Sequence, residues 1–165
     1  PSMWQSSGRS YINERHVGVP YASTSYVAQL RGWLPRPLAG INWFAADDTT
    51  FSVHVPFHGS CTRVPWAYAN GNGAADRMSF ESAFWVFNMV ANFAYYRYNE
   101  VAPLVAKKVS EYERRFMNAV LEEEKNALRL WNTNETAAVE LLTAAAEHRG
   151  NMLVKDWLAF YQELF

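Results

Sequence analysis

Cys61 is the only thiol in the chain, and His58 lies three residues before it. A cysteine paired with a histidine is one arrangement that activates a sulfur nucleophile, because the imidazole accepts the thiol proton. Cys61 nevertheless sits between a Gly-Ser turn and a Val-Pro exit, where a small, half-buried residue is ordinary. We therefore interpret Cys61 as structural and assign no catalytic residue from the residue pattern alone.

Three polar side chains accompany apolar, strand-like segments and could bind a substrate. Arg31 follows the apolar run at 26–30, and a guanidinium there could hold a carboxylate through two parallel hydrogen bonds. Ser25 ends a run of three hydroxyl residues that could line a pocket, and Asn42 could donate to an oxyanion. Each has a structural alternative: a surface or structural ion pair for Arg31, a strand edge or turn for Ser25, and a backbone partner for Asn42. We predict substrate-binding roles for Arg31, Ser25 and Asn42.

Two other pairs of polar residues support no metal or acid–base site. Asp47 and Asp48 are adjacent, and adjacent side chains on a strand point to opposite faces, so a hairpin turn is the better interpretation. His54 and His58 share a face only if a strand continues between them, and the sequence offers no third ligand. We therefore expect no metal and no cofactor.

The first half of the chain has the pattern of strands and turns. Residues 17–20 and 25–33 are rich in residues that favour strands, and residues 41–46 form an apolar run that ends at an Asp pair. Residues 51–57 alternate, with apolar side chains at every second position. The last two segments predict a hairpin. Residues 67–78 are rich in Gly and Asn and predict an exposed loop.

The second half has helical periodicity and predicts four helices. Ser79 is placed to cap the first, which is apolar over 80–96. That run is shorter than the roughly 20 residues of a membrane-spanning helix, so we expect a buried helix and no membrane. The second runs from 99 or 100 to 131, with Pro103 in its first turn. The third covers 134–147, with Gly150 as its C-cap. The fourth carries Leu153 to Leu164.

Length and charge indicate one α+β domain that does not bind nucleic acid. The 165 residues carry 15 basic and 16 acidic side chains, without the basic surface that phosphates require. We divide the chain into a strand-rich part (16–66), a loop (67–78) and a helical part (79–165). A few strands with an exposed edge invite pairing with more chain. Because residue 1 is not Met, we also expect the natural N-terminus to lie upstream.

Three stretches in this order resemble the dipeptidase A and secernin family of N-terminal-nucleophile cysteine peptidases. The first is STSYVAQLRGWLPRP at 23–37. The second is GINWFAADDTTFSVHVPF at 40–57, followed by CTRVP at 61–65. The third is SFESAFWVFNMVANFAYYRY at 79–98, and a charged helix and a Trp-containing helix follow it. The resemblance extends from about residue 17 to the end of the chain.

The resemblance implies an αββα sandwich of two antiparallel sheets between helices, and hydrolysis of dipeptides. In such enzymes the nucleophile is a cysteine at the mature N-terminus. Its own α-amine, with a pKa of about 7.7–8.0, can act as the general base. This sequence has no such start, so the resemblance implies that an upstream N-terminal segment supplies the nucleophile. It also implies that residues 1–165 are the C-terminal part of one hydrolase domain and are inactive alone.

We therefore expect the C-terminal portion of a dipeptidase that acts through a cysteine acyl-enzyme. The expected partners are the N-terminal segment of the same enzyme and a dipeptide, and a homo-oligomer is left open. Two alternatives remain: a non-catalytic binding or scaffold homologue, and an amide hydrolase or acyltransferase of the same nucleophile class. The sequence does not distinguish a cytoplasmic protein from an exported one.

Overall fold

The computed structural model describes residues 3–13 and 17–165, and within them the chain has the predicted α+β organisation. Five strands come first: β1 (Met3–Ser6), β2 (Arg9–Ile12), β3 (Thr24–Leu30), β4 (Gly40–Ala46) and β5 (Val55–His58). Three helices follow: α1 (Ala83–Tyr96), α2 (Tyr98–Trp131) and α3 (Glu135–Glu163). The strands form one two-stranded and one three-stranded antiparallel sheet.

The hairpin of β1 and β2 was not predicted from the sequence. It turns at Ser7 and Gly8, which both have positive φ angles (51° and 73°), the backbone of a tight turn that matches strand twist. Trp4 stacks on Tyr11 across the pair, with ring centroids 5.5 Å apart. The strand predicted at 17–20 is wrong: these residues form bends and a turn. Residue 16, where we began the strand-rich part, lies outside the described residues.

The three-stranded sheet has the order β3-β4-β5, and it confirms the predicted antiparallel pairing of the last two strands. β5 begins at Val55, whereas the predicted strand began at residue 51. The difference arises because the Asp48 carboxylate accepts hydrogen bonds from the backbone N–H groups of Thr50 (2.7 Å) and Phe51 (2.9 Å). These bonds shape a loop over residues 47–54. Inside it Ser52 is as buried as Phe51 and Val53, so the predicted alternation of faces fails there.

The chain has three long helices in the described residues, and the prediction of four is wrong. Gly150 does not end a helix but lies in the middle of α3. A Cβ at this position would approach Pro65 Cβ to 2.9 Å, so the glycine permits close packing of α3 against the segment that follows β5. α1 begins after Ser82 rather than Ser79. Pro103 is the sixth residue of α2, which begins at Tyr98, so it lies beyond the first turn, where we predicted it.

The main core lies where the loop after β4 and the three helices meet. Phe51, Val53 and Val55 are at most 2% exposed, and Phe87 and Trp157 are fully buried, with ring centroids 5.1 Å apart. The buried side chains of α1 are Ala83, Val86, Phe87, Val90, Ala91 and Ala94, so one side of this helix packs inside the protein. In the part of the chain that the structure describes, no helix has the length and apolar character needed to cross a membrane.

Candidate functional site

The two faces of the three-stranded sheet carry different groups of polar residues. Cross-strand partners share a face, so the pairs Ser25–Ala45, Val27–Trp43 and Trp43–Pro56 lie on one side. We call this side the α2 face, because α2 packs against it through the contacts of Glu113 and Glu124 described below. The pairs Ala28–Asn42 and Asn42–Phe57 lie on the other side, which we call the cleft face.

Two adjoining clefts open on the cleft face. The first, the loop cleft, has a volume of about 380 Å³. The second, the Asn42 cleft, has a volume of about 370 Å³. Phe44 and Tyr68 line both of them. Ser23 and Thr24, of the hydroxyl run singled out in the sequence, line the loop cleft, which residues 67–75 and 82–85 close.

The Asn42 cleft combines apolar rings with a few polar groups. Phe44 and Phe57 make edge contacts with Tyr68, with ring centroids 6.1 and 5.8 Å apart. The Tyr68 hydroxyl is buried and has no hydrogen-bond partner among the described residues, and burial raises the pKa of Tyr68. The exposed Asn42 side chain stands on the cleft wall. Its predicted role as an oxyanion donor stays a prediction.

Cys61 also lines the Asn42 cleft, as a half-buried free thiol. Burial raises the pKa of the Cys61 thiol, and this effect is larger than the lowering by hydrogen bonds with the His58 backbone and the Thr143 side chain. A raised pKa disfavours the thiolate, which is the nucleophilic form. The contact with His58 is through the backbone, because Cys61 N–H donates to the His58 carbonyl at 3.0 Å. The structure therefore offers no activated Cys–His pair at this position.

Arg31 lies on the α2 face in a buried ion pair with Glu124 of α2. Its Nη1 donates to Glu124 Oε2 at 2.8 Å, and its Nη2 donates to Glu124 Oε1 and to the Leu38 carbonyl. His58 Nε2 lies 2.9 Å from Glu124 Oε1. Burial raises the pKa of Glu124, but Arg31 and His58 hold it below the ordinary value. Both terminal nitrogens of Arg31 are thus occupied, and its predicted contact with a substrate carboxylate stays a prediction.

Ser25, the third predicted binding residue, is also on the α2 face. Its Oγ lies 3.2 Å from His54 Nε2, and His54 Nδ1 lies 2.8 Å from Glu113 Oε1. Ser25 and Arg31 therefore share one side of the sheet, while Asn42 is on the other. The three residues that we predicted as one binding set do not converge on a single site within this chain, and the substrate role of Ser25 stays a prediction.

The Asp pair forms the turn that we predicted, with both carboxylates buried. Asp47 has a φ of 68°, a left-handed conformation that Asp tolerates better than most residues. Asp47 Oδ1 accepts from Asn88 at 3.0 Å, and Asp48 Oδ2 accepts from Tyr95 at 2.8 Å. Burial raises the pKa of Asp47. Among residues 3–13 and 17–165, no group of three or more His, Cys, Asp or Glu side chains could hold a metal ion.

The sequence matches the model of peptidase family C69 over residues 2–111. The chain belongs to peptidase family C69. The match contains the three stretches on which the resemblance was based, and it covers every strand and α1. It confirms the dipeptidase-family assignment made from those stretches.

Two proteins named as dipeptidases are similar to parts of this C69 chain. It is 25% identical to dipeptidase A of Lactobacillus helveticus over 77 residues, which are 47% of this chain and 15% of that protein. It is 31% identical to probable dipeptidase B of Lactococcus lactis subsp. lactis (strain IL1403) over 62 residues, which are 38% of this chain and 13% of that protein. The matched segments therefore span less than a sixth of either relative.

Three residues that contact the strand residues from far along the chain were not identified from the sequence: Glu113, Glu124 and Tyr68. Glu113 and Glu124 lie on α2, for which the sequence predicted a helix and no contact with the strands. In the structure Glu124 is 8% exposed and meets Arg31, 93 residues away. Tyr68 was assigned to an exposed loop, yet its hydroxyl is buried. The one available signal was that Arg31, His54 and His58 favour carboxylate partners. A sequence cannot indicate which of its carboxylates lie next to them.

Proposed function

We propose that this chain is the C-terminal portion of a dipeptidase whose nucleophilic cysteine lies on an upstream segment of the same enzyme. In this proposal β3, β4 and β5 belong to an αββα sandwich, and α1 to α3 form one of its helical layers. The cysteine forms an acyl-enzyme with the dipeptide, and its own α-amine acts as the general base. The observation that carries the proposal is the family match over residues 2–111.

The exposed outer edge of β3 supports pairing with further strands. β3 pairs with β4 on one side only within the described residues. Tyr26, Val27 and Leu30 are 69%, 59% and 79% exposed, so both faces of this strand carry apolar side chains in solvent. A strand edge of this kind is a template for pairing with more chain. An upstream strand added here would extend the sheet and cover part of this apolar surface.

The cleft face is where we place the substrate. The loop cleft and the Asn42 cleft adjoin at Phe44 and Tyr68, and together they suit two small side chains. Ser23 and Thr24 supply hydroxyls at one end, and Asn42 supplies an amide that can donate to the oxyanion of a tetrahedral intermediate. No described residue hydrogen-bonds to the Asn42 amide, so it is available to a substrate.

The experiment is a peptidase assay on the complete protein, with the leading cysteine of the mature enzyme changed to alanine. We expect hydrolysis of unmodified dipeptides by the wild type and none by this variant. Cys61→Ala is the control for the nucleophile. Cys61 lines the Asn42 cleft but does not attack the substrate in this proposal, so the variant should retain kcat even if KM changes. Dipeptide hydrolysis that survives loss of the leading cysteine, or a kcat that falls to zero in Cys61→Ala, would refute the assignment.

A further inference from the structure

A serine, a histidine and a glutamate on the α2 face have the connectivity of a nucleophilic triad. Ser25 Oγ is 3.2 Å from His54 Nε2, and His54 Nδ1 is 2.8 Å from Glu113 Oε1. Both distances fall in the range expected between a nucleophile, its base and the residue that orients the base. The three residues come from β3, from the loop before β5 and from α2. A triad is recognised by such geometry and not by chain order.

The hydrogen bonds of Glu113 determine which imidazole nitrogen carries the proton. Glu113 Oε1 accepts from the backbone N–H of His54 at 3.2 Å as well as meeting Nδ1. Burial raises the pKa of Glu113, but these bonds to His54 hold it below the ordinary value. An ionised carboxylate can only accept, so Nδ1 carries hydrogen. Nε2 of the neutral ring is then free to accept the Ser25 hydroxyl proton.

The site is accessible to a small substrate. A cleft of about 280 Å³ opens beside His54 and is lined by Val27, Trp43, His54, Glu113 and Met117. Val27 is two residues after Ser25 and on the same face of the sheet. The His54 side chain is 21% exposed. The cleft therefore places an apolar wall next to the His54 ring, which the Ser25 hydroxyl contacts from outside the lining, and a short apolar acyl group fits this surface.

We propose that Ser25, His54 and Glu113 form a serine acyl-transfer site that hydrolyses esters of short apolar carboxylic acids. This goes beyond the proposed dipeptidase function, because it uses a different nucleophile on the opposite face of the sheet. Ser25 Oγ bonds to the ester carbonyl carbon while its proton moves to His54 Nε2. The carbon–oxygen bond to the alcohol breaks and the alkoxide takes that proton. Water then attacks the acyl carbon, gives a proton to Nε2, and releases the acid as Ser25 is reprotonated.

The first test is covalent labelling of the purified protein with a fluorophosphonate, together with hydrolysis of p-nitrophenyl butyrate. We expect the adduct on Ser25, located by mass spectrometry of the peptides. Ser25→Ala and His54→Ala should lower labelling and hydrolysis at least about 100-fold. Ser110→Ala, an exposed hydroxyl on α2, is the matched control and should behave as wild type. Folded wild-type protein without an adduct on Ser25 would overturn the proposal, as would Ser25→Ala with unchanged hydrolysis.

Glu113 acts through His54 and does not contact the substrate. The test of Glu113 therefore needs a measurement that distinguishes positioning of His54 from a general loss of structure. α2 presents the Glu113 carboxylate to His54, and β3 presents the Ser25 hydroxyl. Glu113→Gln keeps the size of the side chain but replaces a carboxylate, which can only accept, with an amide that can also donate, so the proton is no longer held on Nδ1. We expect labelling of Ser25 to slow in Glu113→Gln and to be partly restored in Glu113→Asp, which keeps the carboxylate. Labelling of Glu113→Gln at the wild-type rate, or no faster labelling in the Asp variant than in the Gln variant, would contradict this positioning role.

Discussion

Gly150 in the middle of α3 lies against Pro65, so close that an added Cβ would approach Pro65 Cβ to 2.9 Å and Cγ more closely. The same Cβ would lie 3.3 Å from the Tyr68 ring, which lines both clefts of the cleft face. The missing side chain at Gly150 therefore sets how closely α3 approaches the segment that carries Tyr68. A proline ring is rigid, so this contact cannot be relieved by a rotamer change.

We expect Gly150→Ala to destabilise the protein although alanine favours helices. Overpacking typically costs about 1–3 kcal/mol, while the gain in helix propensity is about 1 kcal/mol. Urea unfolding should show a lower free energy of unfolding. Gly32→Ala is the control, because a Cβ there has no atom within 4 Å. An equally stable or more stable Gly150→Ala would show that α3 can move away from Pro65 at no cost.

The buried ion pair of Arg31 and Glu124 predicts a large effect of Arg31→Gln. Their side chains are 12% and 10% exposed, and removal of one partner leaves a buried charge uncompensated at a cost of about 3–5 kcal/mol. Arg63 also binds two glutamates, Glu140 and Glu147, but at an exposed site. Arg63→Gln should therefore change the free energy of unfolding far less, and this ranking is checked by denaturant unfolding. Equal losses in the two variants would contradict the argument from burial.

His58 predicts a loss of stability on mild acidification. Burial lowers the pKa of His58 from 6.5, and this effect is larger than the rise caused by the neighbouring Glu124 carboxylate. Above pH 6.5 the ring is neutral in both the folded and unfolded states, so it makes no pH-dependent contribution. Below pH 6.5 the unfolded chain binds a proton that the folded protein resists, so stability falls as the pH falls.

The measurement is the free energy of unfolding at about pH 7 and about pH 5.5, a window chosen around the unfolded pKa of histidine. His58→Gln should reduce the difference between the two values. His148→Gln, an exposed histidine of α3, should leave the difference as in wild type. If His58→Gln kept the full pH dependence, another group would be responsible for it.

The open edge of β3 predicts self-association that a charge can suppress. Leu30 on this strand is 79% exposed, and a lysine on an edge strand opposes pairing with another strand. We expect Leu30→Lys to lower the apparent mass at high concentration, measured by light scattering after size exclusion. Leu121→Lys is the control, since Leu121 is 64% exposed on α2, where no strand edge exists. The same mass for both variants would argue against edge pairing.

Asn42 predicts a kinetic effect in the complete dipeptidase that we propose. If its amide donates to the oxyanion, Asn42→Ala should lower kcat by about 10²–10³, with a small change in KM. Asn126→Ala, an exposed asparagine on α2, should have wild-type kinetics. A change confined to KM would indicate ground-state substrate binding instead of oxyanion stabilisation.

The sequence by itself determined the class of fold, the pairing of β4 with β5, and the family. These features depend on local patterns: two short apolar segments joined at an Asp pair, helical periodicity after residue 80, and three stretches in a recognisable order. Tertiary structure decided the rest. Gly150 has the local appearance of a helix end, but its packing against Pro65 places it inside α3. Glu113 and Glu124 have the local appearance of a solvated surface, but α2 places them beside His54, His58 and Arg31. Contacts between residues 59 to 93 positions apart depend on how elements pack, and no local pattern contains that information.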